Sequence, residues 1–200
     1  MDNFFSNADL ASGSGETRIN QFETDVVLRD GSLVHVRPVL LADRALLISF
    51  IENLSPESFY LRFLHIMKPE QAVKKMLPSP GRYALLGVRE EMVIGHAIYA
   101  TTIPGKADAA VVVADAYQGR GLGTILLGQL TQAAISAGIS ELEAHVAPEN
   151  AAMLQVLREL GFPTILKSEP GLIHVTFPAS LLPKALARFE QRKAGRDLRA

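Results

Sequence analysis

The stretch from Ala107 to Gly138 constrains the fold more than any other part of the chain. It opens with an apolar run, Ala109 to Ala114, whose length and β-branched content predict a buried strand. It turns through Gln118-Gly119-Arg120-Gly121-Leu122-Gly123 and then reads as a helix. Leu122, Ile125, Leu126, Leu130, Ala133, Ala134 and Ala137 recur at helical spacing on one face, and Gly138 is placed to stop it. A strand feeding a glycine-rich turn at the mouth of a helix leaves backbone N–H groups unpaired there. Those groups and the helix dipole favour an anion, usually a phosphate.

Two common phosphate loops do not fit. A dinucleotide fingerprint, G-x-G-x-x-G counted from Gly119, puts its third glycine on Thr124, and no Lys stands where a P-loop needs one. The turn does match Q-x-x-G-x-G through Gln118, Gly121 and Gly123, just after the strand. In that setting it resembles the pyrophosphate loop of the GNAT family of N-acetyltransferases, which bind acetyl-CoA. The resemblance implies that the amides of Gln118, Gly119, Arg120, Gly121, Leu122, Gly123 and Thr124 hold the pyrophosphate. Arg120 is either a charge-assisted contact to it or a solvent-facing side chain.

Composition sets the limits. Two hundred residues, 48% apolar, suit one domain with a sizeable core plus short extensions. A formal net charge of −1 gives no electrostatic footprint for nucleic acid. The absence of cysteine excludes disulfides, thiolate metal sites and a Cys nucleophile, and fits a reducing cytoplasm. Apolar runs fall far short of the roughly 20 residues a membrane helix needs. The N-terminus has no basic segment followed by an apolar core, so no export signal is expected. A cytoplasmic protein with no membrane or nucleic-acid partner is the expectation.

Residues 1–21, rich in Ser, Asn, Gly and Asp, read as a flexible leader, 22–178 as the acetyltransferase domain, and 179–200 as a basic amphipathic helix or tail. From Lys184 onward six Lys or Arg residues stand against Glu190 and Asp197. That tail suits an acidic partner or a lipid surface, and a solvated helix face explains it equally.

Between these ends, Val26-Val27-Leu28 and Leu33 to Val39 predict a hairpin across Asp30-Gly31. Ala42 to Asn53 predicts a helix with Leu46, Leu47, Phe50, Ile51 and Leu54 on one side. Ser55-Pro56-Glu57-Ser58 reads as the start of a second helix, and Pro69 opens a third that ends before Pro78. Tyr83 to Val88 and Met92 to Thr101 suit an antiparallel hairpin. Glu141 to Ala147 alternates, with Leu142, Ala144 and Val146 facing one way and Glu141, Glu143 and His145 the other. Asn150 is placed to cap a helix from Ala151 to Leu160, and strands at Phe162 to Leu166 and Leu172 to Phe177 flank Pro170-Gly171. The order predicts an α/β fold with most strands in one mixed sheet.

That order is also similar to the GNAT family's, and the resemblance spans roughly residues 28 to 177. Asn150, Met153 and Gly161-Phe162 look like the family's later helix motif. Leu28-Arg29-Asp30-Gly31, Val36-Arg37-Pro38, Leu54-Ser55-Pro56-Glu57-Ser58 and Tyr60-Leu61-Arg62-Phe63 resemble the GNAT module of bacterial protein-lysine acetyltransferases. The implied fold is a mixed, mostly antiparallel sheet flanked by helices and splayed between the fourth and fifth core strands. The splay lies between the strand before the glycine turn and the Glu141–Ala147 strand. Val111, Val112 and Val113 would pair there with the pantetheine arm, and Asn150 joins the cofactor-binding set. The subgroup's companion modules, acyl-CoA-synthetase-like or cyclic-nucleotide-binding, do not fit in the remaining residues. Any regulation they give is absent or supplied by another chain.

A lysine acceptor has a reference pKa of about 10.4, so it arrives protonated and needs a base. In the subgroup a Glu on the strand before the loop does this, and here the matching residue is Asp108, one methylene shorter, which makes a water relay more plausible. His145, on the polar side of the neighbouring strand, is the competing base. His96, on an apolar strand, reads as a core histidine. The five histidines show no ligand spacing, so no metal is expected. Many GNAT enzymes place a Tyr acid four residues before the Gly-Phe pair, and here Leu157 stands there. Tyr117 is expected to pack against the loop. The reading is an acetyl-CoA-dependent acetyltransferase acting on a protein lysine, with acyl-CoA synthetases the first partners to test. The alternatives are a small-amine acetyltransferase and a non-catalytic acyl-CoA-binding sensor.

Overall fold

The computed structural model describes residues 22–161 and 163–179. Eight strands form one sheet in the order β1-β2-β3-β4-β5-β6-β8-β7. They are β1 (Thr24–Val27), β2 (Leu33–Pro38), β3 (Arg82–Arg89), β4 (Met92–Ile103), β5 (Lys106–Val113), β6 (Glu141–Val146), β7 (Ile165–Glu169) and β8 (Leu172–Pro178). All neighbours are antiparallel except β5 and β6. The helices are α1 (Arg44–Glu52), α2 (Pro56–Phe63), α3 (Pro69–Met76), α4 (Leu122–Ser136) and α5 (Ala151–Leu160). The expected leader and basic tail, including the helix from Ser180, and Phe162 of the Gly-Phe pair lie outside the described residues.

Each face of the sheet carries its own core. Leu122, Leu126 and Leu130 of α4 and Leu157 of α5 pack on Leu85, Ile94 and Leu142. Leu47 and Phe50 of α1, Phe63 of α2 and Met76 of α3 pack on Leu86, Ile98 and Val112. Residues Ala107 and Ala109 of β5 belong to the first core, and Val112, with Ala110 packed beside it, to the second. The strand is therefore a septum whose successive side chains serve opposite faces. Close approach of α4 depends on Gly95, where an added Cβ would lie 2.9 Å from both Leu122 Cδ2 and Leu126 Cδ1.

Local expectations shift in three places. The helix expected from Ala42 starts as a 3-10 turn, Leu41–Asp43, because Asp43 is held by Arg37 at 2.7 Å and by the Leu40 N–H. Leu46, expected on the apolar side of α1, is 38% exposed. Ala137 falls beyond α4 and is exposed, whereas Leu127, Gln129 and Thr131 are buried, so α4 is enclosed nearly all round rather than along one stripe. The β3–β4 hairpin turns on Glu90 and Glu91, both at positive φ, as a two-residue turn of right-handed strands demands.

Candidate active site

The parallel β5–β6 ladder carries only Lys106↔Glu141, Ala107↔Leu142 and Asp108↔Glu143. Beyond Asp108 the strands part, and the β5 edge from Ala109 to Val113 loses its ladder partner on that side. A cleft opens there, lined by Val111, Val112 and Val113, by α2 through Ser58 and Arg62, by the glycine turn, and by Asn150 and Val156 of the α5 region. This is the splay that the sequence pattern implies.

At one end of the cleft the glycine turn enters α4. Gly119 has φ +71° and Gly121 φ +88°, conformations that cost L side chains roughly 1–2 kcal/mol. Among the described residues no side chain caps α4, which leaves the first-turn amides of Leu122, Gly123 and Thr124 without a side-chain cap. The side chains around the turn are engaged with protein partners. Gln118 Nε2 donates to Val113 O at 3.1 Å and to Ser58 Oγ at 3.0 Å. Ser58 Oγ donates to Asp115 Oδ1, which also accepts from Ser55 Oγ at 2.6 Å, and these bonds hold Asp115 below its usual pKa against the opposing effect of burial. Gln118 thus clamps α2 to the end of β5. Arg120 pairs with Asp30 and donates to Ala116 O, with its guanidinium 5.1 Å above the Tyr117 ring. It is absent from the cleft lining. Arg120 is thus held on the β1–β2 turn with its side chain 36% exposed. Tyr117 does pack against the loop.

Below the turn, Glu159 of α5 accepts from Arg29 at 2.7 Å, Thr124 Oγ1 at 2.9 Å and Gln155 at 3.0 Å. The Arg29 bond is the largest of several that bring its pKa down to about 2. The Arg29 N–H also donates to Arg120 O at 3.0 Å, so the first hairpin is tied to the glycine turn. Asn150 caps α5, its Oδ1 accepting from Met153 N at 3.0 Å, and also lines the cleft.

The candidate bases stand where β5 and β6 part, outside that lining, and the structure brings them together. His145 Nδ1 lies 3.4 Å from Asp108 Oδ1, longer than a well-formed hydrogen bond. Their side chains are 42% and 44% exposed. Desolvation raises the Asp108 pKa, opposed by His145 and by the charge of Arg62. His145 stacks on His174 with ring centroids 4.9 Å apart, and His174 Nε2 lies 3.2 Å from Glu143. His96 is a core histidine, its Nε2 3.0 Å from Met76 O, and burial holds its pKa down near about 3, so it stays neutral. Leu157, where the family's tyrosine acid stands, is buried in the core and supplies no proton. Among the described residues no group of three His, Asp or Glu converges as a metal site, and no helix is long and apolar enough to cross a membrane.

Sequence reasoning met Arg62 only as one letter of a resemblance. Its signal was the spacing from Ser58: four residues apart on α2, the two present polar groups to the same cleft. The Glu159–Arg29–Thr124 cluster joins residues 130 positions apart and had no local signal.

The pattern recurs in known proteins. Residues 48–162 match the acetyltransferase (GNAT) family. Acetyltransferase Pat of Mycolicibacterium smegmatis is 31% identical over 144 residues, which cover 68% of this chain and 43% of that protein. An acetyltransferase of Pseudomonas aeruginosa is 32% identical over 144 residues, covering 68% of this chain and 77% of its own length. The chain therefore spans less than half the length of the M. smegmatis relative. The crystal structure of the GNAT domain of S. lividans PAT superposes with a TM-score of 0.72 at 31% identity, covering 79% of this chain and 97% of that one. A cAMP-binding acyltransferase from Mycobacterium smegmatis, at 23% identity and TM-score 0.58, shares the fold, covering 96% of this chain and 62% of its own. The chain is an acyltransferase of the GNAT family, close to the acetyltransferase modules of bacterial Pat proteins.

Proposed function

We propose that the protein transfers the acetyl group of acetyl-CoA to a lysine side chain presented by another protein, acyl-CoA synthetases being the first candidates. The observation that carries the reading is the accessibility of the base. Asp108 stands where the two strands part, and with His145, His174 and Glu143 it forms a polar sheet surface that keeps solvent contact. A lysine on a protein surface can reach a base placed so, whereas a small amine favours a closed pocket.

The residues present suit acetyl-CoA. The uncapped α4 amides and the positive-φ glycines offer a pyrophosphate site, and the unpaired β5 edge at Val111–Val113 offers backbone groups to an extended pantetheine arm. The lysine ammonium first gives up a proton to solvent by way of Asp108, directly or through His145 or a water, which leaves Asp108 ionised again. The neutral amine then attacks the thioester carbon, the second proton passes from the nitrogen to Asp108, and the C–S bond breaks with its electron pair on sulfur.

The test is mass spectrometry of several acyl-CoA synthetases incubated with the protein and acetyl-CoA. Acetyl-lysine above the enzyme-free background is expected. No modification on any of them, with turnover on a panel of small amines, would transfer the reading to a small-molecule acceptor. Tight acetyl-CoA binding with no turnover on either set would make the protein a sensor.

A further inference from the structure

Among the described charged groups on the cleft wall, Arg29 and Glu159 pair with each other, and the Arg62 side chain has no ion pair. It projects from α2 into the cleft beside Val111–Val113. Its Nε is enclosed and has no hydrogen-bond partner among the described residues. The guanidinium lies 4.7 Å from the face of Phe63, a contact that offsets part of the cost of withdrawing it from water. Burial lowers its pKa to about 10, which leaves it protonated at neutral pH. The carboxylate it senses, Asp108, lies 3.4 Å from His145, and among the described residues it forms no ion pair with Arg62. An enclosed cation without an ion pair is costly, and an arriving anion relieves that cost.

Its position says which anion. The groups facing Arg62 are Asp108 on β5 and His96 on β4, and His96 stands opposite Val112 in the ladder. Arg62 therefore serves the segment of β5 between Asp108 and Val112, centred on the small residue Ala110. The pyrophosphate site lies at the far end of the cleft, and Asp115 beyond Ser58 is already satisfied by Ser55 and Ser58. His96 is neutral and so does not compete with Arg62 for an incoming anion. In acetyl transfer negative charge appears first on the carbonyl oxygen of the tetrahedral intermediate and then on the departing sulfur, and the sulfur is the one a tyrosine acid would serve.

Resting on the acetyl-CoA reading, we infer that Arg62 stabilises the departing CoA thiolate electrostatically, in place of the tyrosine acid that Leu157 does not supply. The charges balance through the step. The nitrogen lone pair forms the N–C bond, its proton passes to Asp108, and the C–S electron pair goes to sulfur. Asp108 thereby loses its charge as the thiolate gains one, so Arg62 exchanges one anionic neighbour for another.

The experiment titrates the thiol of enzyme-bound CoA by thiolate absorbance in the ultraviolet, which needs neither acceptor nor turnover. With the unaltered protein, bound CoA should ionise at least about one pH unit below free CoA, a roughly tenfold change in ionisation constant. Arg62→Gln should abolish the shift and Arg62→Lys keep part of it. Asp108→Asn, which removes a nearby negative charge, should enlarge it. Above the midpoint, the unaltered protein should bind CoA about tenfold more tightly than desulfo-CoA, a preference that Arg62→Gln loses. CoA that binds with an unshifted thiol overturns the role of Arg62 alone. CoA that does not bind overturns the acetyl-CoA reading and this inference with it.

Discussion

The glycine turn and the Asp108 region of β5 are built on opposite plans. At the glycine turn every notable side chain is committed to the protein: Gln118 to Val113 and Ser58, Arg120 to Asp30, and Glu159 to Arg29 and Thr124. What remains for a ligand is backbone amide. At the Asp108 end the side chains are loosely paired, with a 3.4 Å contact to His145 and an arginine Nε without a partner. A binding end gains from rigidity, since pre-paired side chains lose no further entropy when the ligand arrives. A reacting end needs groups whose protonation and pairing change during turnover.

If that division is right, substitutions at the two ends should separate in kinetics. Asp108→Asn should lower turnover on a protein acceptor by about 10²–10⁴-fold at neutral pH while leaving CoA affinity within about twofold. Stopped acetylation assays and calorimetry check the two halves. The same loss from His145→Ala, with Asp108→Asn near normal, would move the base to the histidine. The rate of the unaltered enzyme should rise with pH as Asp108, its pKa raised by desolvation, loses its proton, because a protonated Asp108 cannot accept one. Asp108→Asn should remove that acid limb.

Gly121→Ala should do the reverse. At φ +88° the added Cβ strains the entry to α4, by roughly 1–2 kcal/mol, in the segment whose amides are proposed to hold the pyrophosphate. CoA affinity should fall about tenfold, the equivalent of about 1.4 kcal/mol, with turnover at saturating acetyl-CoA nearly unchanged. Turnover falling as far as for Asp108→Asn would mean that the loop also aligns the reacting atoms.

The contrast also explains what could be read from the chain. The anchoring end is local: strand, turn and helix lie within Ala107–Gly138, and glycine spacing records their backbone requirements directly. The alternation of β6 and the cap at Asn150 were legible for the same reason. The reacting end is assembled from α2, β5, β6 and β8, and its meaning lies in distances no spacing encodes. Asp108 and His145 read as rivals because they stand 37 residues apart, yet they share one contact. Arg120 is a similar case. Its place in the motif left a ligand contact and a solvent-facing side chain both open, and its partner Asp30, 90 residues away, had no local signal.

The smallest expected effect tests how much of the anchoring end is side-chain scaffold. Glu159 has its pKa depressed from 4.5 to about 2, chiefly by the hydrogen bond from Arg29, with Thr124 and Gln155 adding to it. A depressed carboxyl stabilises the fold above its unfolded pKa and loses that contribution as pH falls through the folded one. The loss should therefore begin below about pH 4.5 and be complete near about pH 2. Arg29 is 44% exposed, so solvent screens the pair and Glu159→Gln should cost only roughly 1 kcal/mol at pH 7. Thermal melts of the two proteins should differ by a few degrees at neutral pH and converge in acid. Convergence without any change in CoA affinity at pH 7 would assign Glu159 to the scaffold alone. A drop in affinity as large as that of Gly121→Ala would show that Arg29 and Thr124, held by this carboxylate, belong to the ligand site as much as the backbone above them.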